Sequence, residues 1–279
     1  MELDLTTTPT IRDGNVVAWF EVVGPERAKE LLSSYKIDYR KYRPSYGDGL
    51  ARDQVNGFWN FDGSPIRIDE NGNLFDGQHR LNAVRISNIP QLFLFIAGLP
   101  VSAYNTTDTG LARTYGDTLR RRGYQNVSQR TALVKLIDRW ERGVSLDDSA
   151  RKTGSELDVV HDKHVASITR AVHMSLSTAK KMRVSNALVS FAWWLLNDVD
   201  SEMCYTFMIT TAEGENIRRG NPMYTLRERL RNDYEIGHTR NEYIYLFIQA
   251  WNAFRANKEL YRLQLPSGIV TRDKIVSPK

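Results

Sequence analysis

One glycine, set between a short apolar step and the start of an amphipathic helix, constrains this chain more than any other residue. It lies in the run Asn71-Gly72-Asn73-Leu74-Phe75-Asp76-Gly77-Gln78-His79-Arg80-Leu81-Asn82-Ala83-Val84. Asn71-Gly72 is a turn signal, and Leu74-Phe75 reads as a strand step. Gly77 then lets the backbone leave the strand at an angle that other residues tolerate poorly. Beyond it, Leu81, Val84 and Ile86 recur near the helical period and predict one buried face.

A helix that starts at such a hinge presents unpaired N–H groups and the positive end of its dipole. Gln78, His79 and Arg80 fall in that first turn. The combination makes an anion site, and phosphate is the anion such helix ends usually hold. An ordinary strand-to-helix turn with a surface His and Arg has the same spacing, so spacing alone leaves both readings open.

The surrounding pattern gives the fold class. Val16–Val23 (VVAWFEVV) reads as a strand or the lead-in to a helix, and Gly24-Pro25-Glu26 opens a helix with Pro at its first position. Lys36 to Pro44 interleaves basic residues with tyrosines, as a linker or as a nucleic-acid contact. A short helix is expected over 49–55, strands over 65–68 and 91–97, and the hinge helix between them. Short strands alternating with short helices predict a compact α+β domain. From about Tyr115 to Ala256 the chain reads as helical, with segments at 115–122, 127–142, 158–171, 184–197, 223–232 and 241–257. The expected division is therefore 1–115, a mixed-sheet domain; 116–265, an all-helical basic domain; and 266–279, a mobile tail.

Composition excludes several classes. The 279 residues carry a formal net charge of +5, with 41% hydrophobic and 25% charged residues. These are values of an ordinary globular chain whose charge favours polyanionic partners. No apolar run approaches the roughly 18 residues of a membrane span, and Met1–Leu5 lacks the features of a signal peptide. Cys204 is the only cysteine, which excludes a disulfide framework and a cysteine zinc site and gives thiol catalysis little support. A reducing, cytoplasmic setting is the expectation. There is no P-loop and no GxSxG elbow. His161, His164 and His173 lack companions for a metal site and read as surface helix histidines.

Two further groups bear on function. Asp108-Thr109 precedes Gly110, with Arg113 five residues beyond Asp108. A carboxylate and hydroxyls suit hydrated Mg²⁺, and an arginine suits phosphate; a capped helix start with a surface Arg is the alternative. Arg120, Arg121, Arg122, Arg130, Lys135 and Arg139 outnumber the acids of their segments, which suits a nucleic-acid backbone, although a solvated helix face gives such runs too.

Asp76-Gly77-Gln78-His79-Arg80, with the strand 91–97 after it, resembles the core of the ParB/sulfiredoxin superfamily, and within it the bacterial and phage proteins with a DGQHR signature. The resemblance covers residues 37 to 119. It implies a nucleotide, ATP or CTP with Mg²⁺, whose phosphates touch Gly77, Gln78, His79 and Arg80. It likens Arg43-Pro44 to an upstream basic motif, and Asp108-Thr109-Gly110 with Arg113 to a metal and phosphate motif. Gln78 stands where sulfiredoxin has its cysteine, which argues against sulfinate repair. Asp108-Thr109 stands where the partition proteins have a Glu-Asn pair.

The functional expectation is a nucleotide-dependent phosphotransferase or NTPase acting on or with DNA, including phosphorylation of a hydroxyl on DNA. His79 and Arg80 would neutralise phosphates, Asp108 would recruit the metal, and Asp76 or Asp53 would take the acceptor proton. The alternatives are a nucleotide-gated, non-enzymatic DNA-binding protein of the ParB type, and a DNA-binding protein with a vestigial site. DNA is the expected partner, a homodimer is left open, and the location is the host cytoplasm if the chain is phage-encoded.

Overall fold

In the computed structural model, residues 10–35, 42–107, 114–234 and 236–279 are described. The chain divides into two units, residues 1–112 with 151–156, and residues 113–150 with 157–279. The division falls close to the expected change of pattern near 115, except that a short later segment belongs to the first unit.

In the first unit, β1 (Ile11–Asp13), β2 (Val16–Val23), β3 (Ile66–Asp69), β4 (Leu74–Asp76) and β5 (Gln91–Leu99) form a sheet of order β1-β2-β5-β3-β4. All pairs are antiparallel except β3 with β5, which run parallel. Helices α1 (Pro25–Ser34), α2 (Pro44–Val55) and α3 (Gln78–Ser87) complete the fold, and α3 packs on α1 and α2. One core joins Ala28 and Leu31 of α1, Leu81 and Val84 of α3, and Val23, Ile66, Ile68, Leu74, Phe93 and Phe95 of the strands. Ile86, expected on the buried face, is exposed. α2 starts at Pro44 rather than at Gly49, because proline's fixed φ suits the first helical position.

The second unit is helical among its described residues: α4 (Tyr115–Arg121), α5 (Val127–Glu141), α6 (Gly154–Lys163, its first turn in the first unit), α7 (Val165–Met182), α8 (Asn186–Asn197), α9 (Ser201–Glu213), α10 (Pro222–Asn232) and α11 (Arg240–Arg255). α8 is buried nearly all round, and its Ser190 and Trp193 bond to Ser175 and Thr178 of α7. α7 runs eleven residues past the expected end at Ala171, continuing its buried face through Ser175, Thr178, Ala179 and Met182. α9 lies within the stretch expected to be helical but in none of its expected segments.

The segment expected to be a mobile tail packs instead. Val270 and Ile275 are in the core, Arg272 lies 3.5 Å over the Trp140 ring, and the indole N–H of Trp251 donates to the Lys279 carbonyl at 3.1 Å. Its few apolar residues fill a helical core, which a local pattern cannot reveal. Among the described residues no helix is long and apolar enough to cross a membrane.

Candidate functional site

Gly77 joins β4 to α3 at φ +106°, where a side chain is strained. A Cβ there would stand 2.4 Å from Cδ1 of Ile66 and 3.3 Å from its Cα. Conformation and space therefore both require glycine. α3 has no side-chain cap and no acidic residue in its first turn, so neither offsets its positive end.

That end opens on a cleft of about 290 Å³. Tyr46 and Leu50 of α2 form one wall, Trp59, Asn60, Asp62 and Ser64 of the following loop a second, and Arg67, Asp76, Gly77, His79 and Arg80 the floor. A single carboxylate oxygen organises the floor. Asp76 Oδ2 accepts from Arg67 at 2.7 Å and from Arg80 at 2.9 Å. Arg80 also donates to the carbonyls of Ser64 and Pro65. Its guanidinium, expected to grip phosphate, is thus committed to holding the loop, and its side chain is only 14% exposed. Arg67 donates to Asp76 alone among the described residues and is the more open of the two, at 25%.

The His79 ring is held by backbone and aromatic contacts. Its Nε2 accepts the Arg43 backbone N–H at 3.0 Å. Tyr42 stacks on the ring and Tyr46 meets it edge-on, both with centroids 5.2 Å away. Arg43 therefore touches the site through its backbone, and its side chain is exposed outside the cleft lining. Of the buried polar atoms without a hydrogen-bond partner among the described residues, two lie in this part of the fold: the indole Nε1 of Trp59, on the cleft wall, and Oε1 of Gln78.

Asp53 does not line the cleft. Its carboxylate accepts the Thr153 hydroxyl at 2.6 Å, and burial raises its pKa against that bond. Beside it, burial alone would raise Glu156, but hydrogen bonds from Arg52, the Thr153 N–H and Lys152 outweigh it and hold the carboxyl at about 2. Asp53 and Glu156 thus share a hydrogen-bonded cluster around Thr153, and the structure does not bring Asp53, expected as a proton acceptor, to the cleft lining. Asp108, Thr109 and Arg113 lie outside the described residues. Among the described residues no three His, Cys, Asp or Glu side chains group as for a metal ion.

The basic residues expected to carry nucleic acid divide. Arg120 pairs with Asp117 at 2.6 Å, and Arg122 with Asp158 at 2.8 Å and with Asp162. Arg130 is buried, donating to Thr169 and lying 4.5 Å from the Tyr124 ring centroid, so it cannot meet a phosphate backbone. Arg139 is partly buried, whereas Arg121 and Lys135 are exposed. His161, expected at the surface, is fully buried beside Asp162. Burial pushes the Cys204 thiol up to about 12, which removes it as a nucleophile.

Arg67, Trp59 and Asp62 were missed by the motif-based reading. Arg67 had a signal: alternation places it on the face opposite Ile66 and Ile68, which are buried. Compared with protein-family models, with curated proteins and with solved structures, the chain matches none.

Proposed function

We propose that this cleft binds the phosphate chain of a nucleotide, ATP or CTP with Mg²⁺, and that the protein is a nucleotide-dependent phosphotransferase or NTPase working on or with DNA. The observation that carries the reading is the uncapped start of α3, at a hinge only glycine fits, facing a cleft floored by Arg67. Backbone amides and a guanidinium are the donors that phosphate oxygens require. Tyr46 and Trp59 offer aromatic faces to a base. Arg80 fixes the loop and the carboxylate, so it positions rather than grips. Mg²⁺ binds chiefly through phosphate oxygens and water, with one or two carboxylates.

In the transfer version, the acceptor oxygen bonds to the γ-phosphorus and the nucleoside diphosphate oxygen leaves. The acceptor's proton passes to a cleft carboxylate, Asp76 or Asp62. A second reading, nucleotide-gated DNA binding without chemistry, is favoured by one observation. Both carboxylates already have partners: Asp76 the two arginines, Asp62 the Ser64 N–H at 2.9 Å.

The test is a melting and titration series with ATP, CTP and Mg²⁺ on wild type and Arg67→Ala. Nucleotide at 100 times its Kd adds about 2.7 kcal/mol to the wild type, and Arg67→Ala loses most of that gain. No stabilisation by any nucleotide overturns the proposal. Labelled γ-phosphate offered with DNA, nucleosides and water then separates the readings: transfer or release supports the enzyme, and its absence with nucleotide-dependent DNA affinity supports the gate.

A further inference from the structure

On the helical unit, the loop before α10 runs beside the segment after α11. The Leu260 N–H donates to the Gly220 carbonyl at 2.8 Å as an isolated antiparallel bridge, and the Thr225 hydroxyl donates to the Leu260 carbonyl. Gly220 has φ +96°, and a Cβ there would stand 3.1 Å from Cε1 of Tyr261 and 3.2 Å from its Cζ. The Tyr261 ring therefore rests on glycine backbone, yet the residue is 60% exposed. Its hydroxyl is anchored to Glu259 at 2.6 Å. The result is a fixed aromatic platform with solvent on its outer side.

Two clefts adjoin there, of about 450 and 400 Å³, sharing Arg219. The first is lined by Arg218, Arg219 and Lys258, which are exposed and form no ion pair among the described residues. The second adds Arg262 beside Tyr261. Glu228 and Glu259 are the carboxylates of the lining, and Glu259 is taken up by the tyrosine hydroxyl.

We propose that this face binds single-stranded nucleic acid, with phosphates along Arg218, Arg219, Lys258 and Arg262 and a base stacked on Tyr261. Cations tracking a groove beside an aromatic platform are the features that hold single strands. A duplex keeps its bases stacked inside and offers the ring nothing to stack on, so the exposed platform favours the single strand. The inference rests on the nucleic-acid part of the function proposed above and is independent of nucleotide binding at α3.

The test is fluorescence anisotropy on the full chain with a labelled pyrimidine oligonucleotide of about 12 nucleotides, a length within single-strand site sizes, and the matching duplex. The single strand is expected to bind more tightly. Arg218→Ala/Arg219→Ala should weaken it about tenfold and reduce the log–log salt slope by about 1.4, two contacts at about 0.7 each. Tyr261→Ala should cost about fivefold or more, while Tyr261→Phe retains affinity because stacking needs only the ring. Circular-dichroism melting confirms that each variant is folded. Stronger binding of the duplex, or indifference to Tyr261→Ala, overturns the single-strand assignment. Binding lost instead in Arg121→Ala/Lys135→Ala overturns the groove but spares the nucleic-acid partner. No binding of either oligonucleotide overturns both, while nucleotide titration with Arg67→Ala still judges the α3 cleft separately.

Discussion

Replacing Gly77 with alanine places a methyl group where both the backbone and Ile66 refuse it. The conformational cost for an L-residue in left-handed space is about 1–2 kcal/mol. The added carbon would sit 2.4 Å from Cδ1 of Ile66, a fully buried residue. Such overpacking costs typically about 1–3 kcal/mol, so the substitution should destabilise the first unit by about 2–5 kcal/mol. Two units need not unfold together, so the measurement is amide hydrogen exchange resolved by peptide, with the second unit as internal reference. The clash and the strain separate in a double-mutant cycle. Ile66→Val removes Cδ1 and alone costs about 0.5–1.5 kcal/mol. In the Gly77→Ala background it should cost about 1 kcal/mol less, since the clashing atom is gone. Additive behaviour, or a Gly77→Ala protein as stable as wild type, would refute the argument that this hinge admits only glycine.

Arg80→Ala should destabilise the first unit by about 1.5–3 kcal/mol, because two carbonyls and a carboxylate lose a charged donor; Arg67→Ala should cost less than half as much, by the same exchange measurement. Glu156 has a folded pKa below its unfolded value, so its contribution to stability is complete above about 4.5 and is lost as pH falls toward about 2. Urea titrations across that window should show Glu156→Gln flattening the acid limb, and an unchanged limb would count against the Arg52–Glu156 pair. Deleting residues 266–279 removes two buried side chains, Val270 and Ile275, and should cost about 3–6 kcal/mol. Limited proteolysis of the second unit reads that loss, and undiminished resistance would contradict the packed terminus.

How far the fold could be read from the chain differs by element. The hinge was legible because one residue type answers to backbone angle and space at once. The β-branched and aromatic run over 16–23 was legible as a strand or a helix lead-in, and pairing with β5 makes it a strand. α9 hid because Ile209-Thr210-Thr211 is unfavourable to helix by propensity, although Cys204, Phe207, Met208, Thr211 and Ala212 keep helical spacing. Its buried face is complete only once Thr211 counts as apolar, which its hydroxyl bond to the Phe207 carbonyl permits. At the candidate site, the motif pointed to Arg80 as the anion ligand. Spacing could not reveal that the carbonyls of Ser64 and Pro65 would fold back onto it, or that Arg130 would be enclosed between helices.

The Asp76 carboxylate between Arg67 and Arg80 carries a last consequence. The cleft already holds an anion, and that anion is tethered. An entering oxyanion that seeks the same guanidinium meets a rival at high effective concentration, so admission is an exchange rather than a filling. Small monovalent anions should lose that contest, and only a ligand with several charges held in a row can displace the resident one.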